Sequence, residues 1–303
     1  MIEGILPLLK PAGMTSHDCV MKLRKLLRTK KIGHTGTLDP EVTGVLPICV
    51  GRATKIAQYL SDYAKSYEAE VTIGQSTTTE DRHGEIVETR KVEEPLERET
   101  VEAVLRSFVG DIEQTPPMYS AVKINGKKLY EYARQGIEIE RPARTVHIYS
   151  IDLISKEGRF EPPFPSFAIR VTCSKGTYVR TLAVDIGKKL GFPAHMSRLV
   201  RTASGPFQLN DCVTFEELET LIKKEEVDKA LFPIEKGLEA FEKLIVNREI
   251  EAKIRNGAVL PLSKEVEHSP FAVYNEKGAC LALYQKHPTK PYLMKPEKIL
   301  NAQ

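Results

Sequence analysis

Cysteine is scarce and unpaired in this chain. The five present, at positions 19, 49, 173, 212 and 280, are odd in number and show no Cys-x-x-Cys spacing. Neither a disulfide framework nor a zinc site is expected from them, and the pattern suits a reducing cytosol. Long apolar runs are missing too. Lys10 and Pro11 interrupt the first hydrophobic stretch before it resembles a signal peptide, and no later run is long enough to cross a bilayer. Net charge is low, at +3 over 303 residues. The patterns Gly-x-x-x-x-Gly-Lys-Ser/Thr, Gly-x-Gly-x-x-Gly, His-Glu-x-x-His and Gly-x-Ser-x-Gly do not occur, which removes the common nucleotide, zinc and serine-hydrolase signatures.

The length supports about two domains, and 41% hydrophobic residues supply substantial cores. Charge is unevenly spread. Six Lys or Arg lie between Ser16 and Thr35 against Asp18 alone, and seven between Arg170 and Gly205 against Asp185. From Asp211 to Lys243 the balance reverses, with ten acids and five bases. A polyanion is the natural partner of the basic stretches, although a solvated helix face has the same look.

The chain is organised around Lys30 to Gly51. Gly33, Gly36, Gly44 and Pro40 make its first part a compact loop that presents the carboxylate of Asp39. Pro40 biases Asp39 toward extended backbone, so the side chain sits on a rigid turn. The apolar run Val45 to Val50 then reads as a buried strand despite Pro47. Upstream, Ser16 is a plausible N-cap for a helix with Val20, Leu23, Leu26 and Leu27 inward and a basic opposite face. Downstream, Tyr67, Ala69, Val71 and Ile73 alternate with polar residues as the buried face of a strand. A polar loop from Ser76 to Gly84 comes next, then a helix capped at Thr100, a non-helical stretch through Pro117-Met118-Tyr119-Ser120-Ala121, and a hairpin turn at Asn125-Gly126. Lys127 to Gly136 reads as a helix carrying two tyrosines; Leu129 to Gly136 and the polar loop are candidates for ordering on binding.

A second site-like stretch runs from Cys173 to Leu182. Thr177 is placed to cap a helix with Val179, Leu182, Ala183, Ile186 and Leu190 inward, which leaves Tyr178 and Arg180 in its first turn. Such a corner suits an anion or a nucleic-acid backbone. An arginine at the positive end of a helix dipole calls for a nearby carboxylate or phosphate. After the capping box at Thr214–Glu217 and the acidic region, short apolar runs separated by turn signals predict a small β-rich module over the last ~60 residues.

Taken together, Gly33-His34-Thr35-Gly36-Thr37-Leu38-Asp39-Pro40 with Thr43-Gly44-Val45-Leu46-Pro47, Lys65-Ser66-Tyr67, Pro117 to Ala121 and Cys173 to Arg180 resemble the bacterial TruB family of tRNA pseudouridine synthases. The resemblance covers roughly Ile5 to Phe207 and implies an α+β fold: a catalytic domain, 1–238, around an antiparallel mixed sheet with flanking helices, and a small PUA-like RNA-binding domain, 239–303. It implies isomerisation of uridine 55 in the T-arm loop of tRNA by a cytoplasmic monomer, with no metal and no organic cofactor. Asp39 is then the nucleophile and Arg180 its charge partner. Tyr67 lies against the target base, His34 fills the gap left when that base turns out, and Leu199 lines the uracil pocket. Tyr178, Lys175 and Lys10 contact substrate. Glu41-Val42 departs from the apolar-then-small pair expected after the motif. A non-catalytic RNA-folding factor, and a synthase acting on another RNA, are the alternatives.

Overall fold

A computed structural model describes residues 2–300; Met1 and residues 301–303, where the expected C-terminal module ends, lie outside the described residues. The fold is mixed α+β as expected, and it divides into two compact units. One comprises 42–44 and 62–204. The other gathers the described residues of 2–41, 45–61 and 205–300.

The first unit is built on five antiparallel strands in the order Ala194–Ser204, Lys65–Ile73, Ser166–Cys173, Arg144–Leu153 and Gly110–Gln114. Thr43 and Gly44 add a short parallel pairing to Val200 and Arg201. Gly44 is required there: its φ is +118°, and a Cβ would stand 2.2 Å from the Arg201 carbonyl oxygen. The alternation from Tyr67 to Ile73 behaves as predicted, with Ala69, Val71 and Ile73 buried. They pack with Phe167, Ile169 and Val171 and with Leu182 and Ile186 of the helix Val179–Leu190. Each such side chain contributes about 1.5–3 kcal/mol by leaving water, so this helix starts from a firm base. The helix expected from Thr100 begins at Arg98, with Glu97 as N-cap. Asn125 and Gly126 do form the predicted turn, both at positive φ, between the paired strands Lys123–Ile124 and Lys127–Lys128, but the helix after it runs only over Leu129–Ala133.

In the second unit the strand Gly4–Lys10 lies beside Thr43–Val50, and Ile32–His34 pairs antiparallel with the latter, Ile32 opposite Val50 and His34 opposite Ile48. Pro47 is tolerated because it only has to accept: its carbonyl takes bonds from Thr35. The helix Ser16–Leu26 buries Val20 and Leu23 against Leu6, Leu46, Ile48 and Phe215. Residues 243–299 form a five-stranded sheet with its own core, covered by the helix Arg248–Arg255. That sheet is bonded to earlier parts of the same unit, through Lys55 Nζ to the Ile299 carbonyl at 2.6 Å and Cys280 N–H to Glu235 at 2.8 Å. Among the described residues no helix is long and apolar enough to cross a membrane.

Candidate active site

Asp39 lies on the turn between the strands Ile32–His34 and Thr43–Val50, half-buried, and the backbone is fastened on either side of it. Before it, the buried Leu38 N–H donates to the Ser16 hydroxyl at 2.9 Å. After it, the Pro40 carbonyl accepts from Lys10 Nζ at 2.8 Å and from Gly13 N–H at 3.0 Å. Thr35 closes the loop further along, giving both its N–H and its hydroxyl to the Pro47 carbonyl at 3.2 Å. A loop with this many non-local ties holds the backbone around Asp39 in place, as a nucleophile or base needs.

Two of those fasteners differ from the sequence expectation. Ser16 is not the N-cap; Thr15 is, through a capping box in which its hydroxyl accepts from Asp18 N–H and its own N–H bonds the Asp18 carboxylate. The pattern Thr15-x-x-Asp18 carried that signal. Ser16, 1% exposed, is thereby left to face Leu38. Lys10, expected at the substrate, is 0% exposed, with its ammonium donating to the Pro11 and Pro40 carbonyls at 2.9 and 2.8 Å. Burying an ammonium is costly unless its donors are matched, so this lysine belongs to the base of the loop. His34, on the same loop, accepts Gly36 N–H on Nδ1 at 3.4 Å.

In the other unit Tyr178 and Arg180 open the helix Val179–Leu190. Tyr178, rather than Thr177, is the N-cap residue. Its N–H donates to Gln114 Oε1 at 3.0 Å and its carbonyl accepts from Gln114 Nε2 at 3.2 Å, so a buried side chain holds the residue that starts the helix. Thr177 turns its hydroxyl back to Ser174 O at 2.9 Å. Arg180 is 5% exposed and donates to Thr79 O at 3.0 Å and Tyr119 O at 2.9 Å. A cation at the positive end of a helix is unfavourable, and two carbonyl dipoles offset that cost. They come from the polar loop after Tyr67 and from the Pro117–Ala121 stretch, so one guanidinium ties three sequence blocks together. The polar loop is thus already built. It is a hairpin of Gln75–Thr77 and Ile86–Thr89 pinned to Met196.

Tyr67 is half-buried opposite Arg201, and Leu199 stands opposite Ala69 on the adjacent strand, so Tyr67 and Leu199 share one face and both pack on the unit's core. Lys65, two residues before Tyr67, is buried; desolvation, with the charge of Arg201, pushes its ammonium down to about 8. Lys175 is exposed and pairs with Asp62 at 2.8 Å, a surface contact of little energetic weight. The structure therefore gathers Lys10, His34 and Asp39 in one unit and Tyr67, Lys175, Tyr178, Arg180 and Leu199 in the other. Among the described residues no three His, Cys, Asp or Glu gather as a metal site would require.

The chain was compared with known proteins. The description "TruB family pseudouridylate synthase (N terminal domain)" matches residues 24–179, and "tRNA pseudouridylate synthase B C-terminal domain" matches 180–239. A tRNA pseudouridine synthase B from Halalkalibacterium halodurans is 61% identical over 299 residues, covering 99% of this chain and 98% of the relative. One of the same name from Bacillus pumilus is 59% identical over 305 residues, again with 99% and 98% covered. Among solved structures, a chain from "Crystal Structure of a Cbf5-Nop10-Gar1 Complex" superposes with TM-score 0.75 at 30% identity, over 99% of this chain and 85% of that one. The Asp39 loop and the strand–turn–helix that carries Arg180 both fall inside the first match, up to Val179, or at the start of the second. On that coverage and that identity, the chain belongs to the TruB family of pseudouridylate synthases.

Proposed function

We propose that this chain is a tRNA pseudouridine synthase that acts as a cytoplasmic monomer on uridine 55 in the T-arm loop, with Asp39 as the nucleophile. The observation that carries the chemistry is the fastening of Leu38 and Pro40 on either side of Asp39, which an ordinary surface turn would not need. Support for tRNA as the substrate comes from relatives named tRNA pseudouridine synthase B at 56–61% identity.

A uridine inside a folded loop must leave its stack before a carboxylate reaches it, at roughly a few kcal/mol. His34 fills the vacated space. Tyr67 and Leu199 receive the base on their shared apolar face, and Arg180 keeps Asp39 ionised and oriented. Asp39 attack breaks the bond between uracil and ribose, the base turns, and it is rejoined through carbon. Tyr178 and Lys175 contact the RNA, with Lys175 exchanging Asp62 for a phosphate. Lys10 supports the reaction from behind, by holding the Pro40 carbonyl. Residues 1–238 are assigned to catalysis and 239–303 to a PUA-like RNA-binding module. In that module Lys253 and Arg255 are paired with Glu249 and Glu251 one helical turn earlier, so they bring less free charge to RNA than their number implies. Tritium release from tRNA labelled at uracil C5 tests the assignment. Asp39→Asn should abolish release, and near wild-type turnover by that variant sinks it.

A further inference from the structure

The hairpin loop after Tyr67 contains a carboxylate for which the proposed reaction has no use. Glu80 has φ 63°, in the left-handed region, where glutamate is uncommon and Gly, Asn or Asp would be expected. Residues held there persist only when their surroundings over-determine them, and such outliers concentrate at functional sites. Here the surroundings are explicit. Glu80 N–H donates to Thr77 O at 3.2 Å, and its carbonyl accepts from Met196 N–H at 3.0 Å. Arg82 N–H returns a bond to Met196 O at 3.1 Å, and the Thr77 hydroxyl reaches Asp81 O at 2.6 Å.

The conformation so enforced has one clear result. The Glu80 carboxylate accepts the Thr181 hydroxyl at 2.8 Å, while the carbonyl of the preceding residue, Thr79, accepts from Arg180 at 3.0 Å. Two consecutive residues of the loop thus grip two consecutive residues of the first helical turn. Thr181 is 7% exposed, so water does not substitute for the carboxylate. Burial raises the proton affinity of Glu80 above the ordinary glutamate range, while the Thr181 hydroxyl and the Arg180 and Arg141 guanidiniums draw it down and Asp185 pushes it up. A buried carboxylate bonded to the helix residue next to Arg180 is more than a loop fastener.

We propose that Glu80 is a positioning residue for Arg180: its bond to Thr181 fixes the Thr79 carbonyl against the guanidinium and so sets where that guanidinium points. This role rests on the proposed reaction, in which Arg180 serves the reacting aspartate. It is tested by kcat and KM for pseudouridine formation on full-length tRNA by wild type, Glu80→Ala, Thr181→Val, Thr181→Ser and the Glu80→Ala/Thr181→Val double variant. Thr181→Val keeps the branched shape and replaces the hydroxyl by a methyl group, and thermal melts check that the fold is kept. Glu80→Ala and Thr181→Val should each lower kcat about tenfold, with KM within about twofold, as expected for a lost hydrogen bond to a charged group. Thr181→Ser, which restores the hydroxyl, should recover most of that loss, and the double variant should be no slower than the worse single one. Wild-type kcat in Thr181→Val overturns the role, as does a Thr181→Ser variant as slow as Thr181→Val. A wild-type chain that forms no pseudouridine overturns the proposed reaction itself; an active wild type with unaffected variants overturns the positioning role alone.

Discussion

Replacing Ser16 by Ala isolates the fastening of the Asp39 loop, because it deletes one oxygen and nothing else. That oxygen accepts Leu38 N–H at 2.9 Å in a region where Ser16 is 1% and Leu38 4% exposed. No water replaces it, so the amide is left buried and unsatisfied at a cost of about 1–3 kcal/mol. The remaining ties at Pro40, from Lys10 and Gly13, hold the far side of the loop. The loss therefore falls on the residue just before Asp39 rather than on the fold as a whole. If all of it appears as a lower population of the aligned loop, kcat drops about 5- to 150-fold, with KM for tRNA little changed. Asp18→Ala is the control. It breaks the Thr15 cap of the same helix, at about 0.5–2 kcal/mol, without touching Leu38. Thermal melts should show comparable losses of stability for the two variants, while tritium release separates them. Equal turnover by Ser16→Ala and Asp18→Ala at matched stability would refute the claim that Ser16 acts through the loop.

Other consequences come from single distances. Arg180→Lys cannot span the Thr79 and Tyr119 carbonyls with one ammonium, so it loses at least one charge-assisted bond, and kcat should fall roughly 10- to 100-fold in the same assay. Gly44→Ala places a Cβ 2.2 Å from the Arg201 carbonyl oxygen at φ +118°; a loss of about 3 kcal/mol or more is expected in calorimetric melts, and a wild-type midpoint would contradict it. Burial pushes the Cys49 thiol from 9.0 up to about 12, so above pH 9 the unfolded chain gives up a proton that the folded chain keeps. The stability from this group is complete below pH 9 and is lost as pH rises toward 12, at about 1.4 kcal/mol per pH unit. Cys49→Ala should flatten the fall in melting temperature between pH 9 and 11 without removing it, since Cys280 is raised to about 12 and Cys173 to about 11.

The parts of this protein that were legible in its sequence are those whose cause is local. The loop at Asp39 announces itself by glycine and proline density between periodic flanks, and Tyr67 to Ile73 by strict alternation. Thr214 with Glu217 forms the predicted capping box. The features that escaped depend on bonds between distant residues. Capping preferences rank Ser and Thr nearly alike, so Thr15 and Ser16 are hard to separate by type; the tie from Ser16 spans 22 positions. Lys10 looks like a free cation in sequence because only the fold reveals its burial. Glu80 gives no signal at all, since nothing about glutamate suggests positive φ. The N-terminal strand depends on such distant bonds too. Here Ile5 bridges to Phe232 and Leu8 to Val213, so the N-terminal strand is completed by residues from far downstream and shares their unit. Asp39 itself is fastened by Lys10, Gly13 and Ser16, which bond the residues on either side of it.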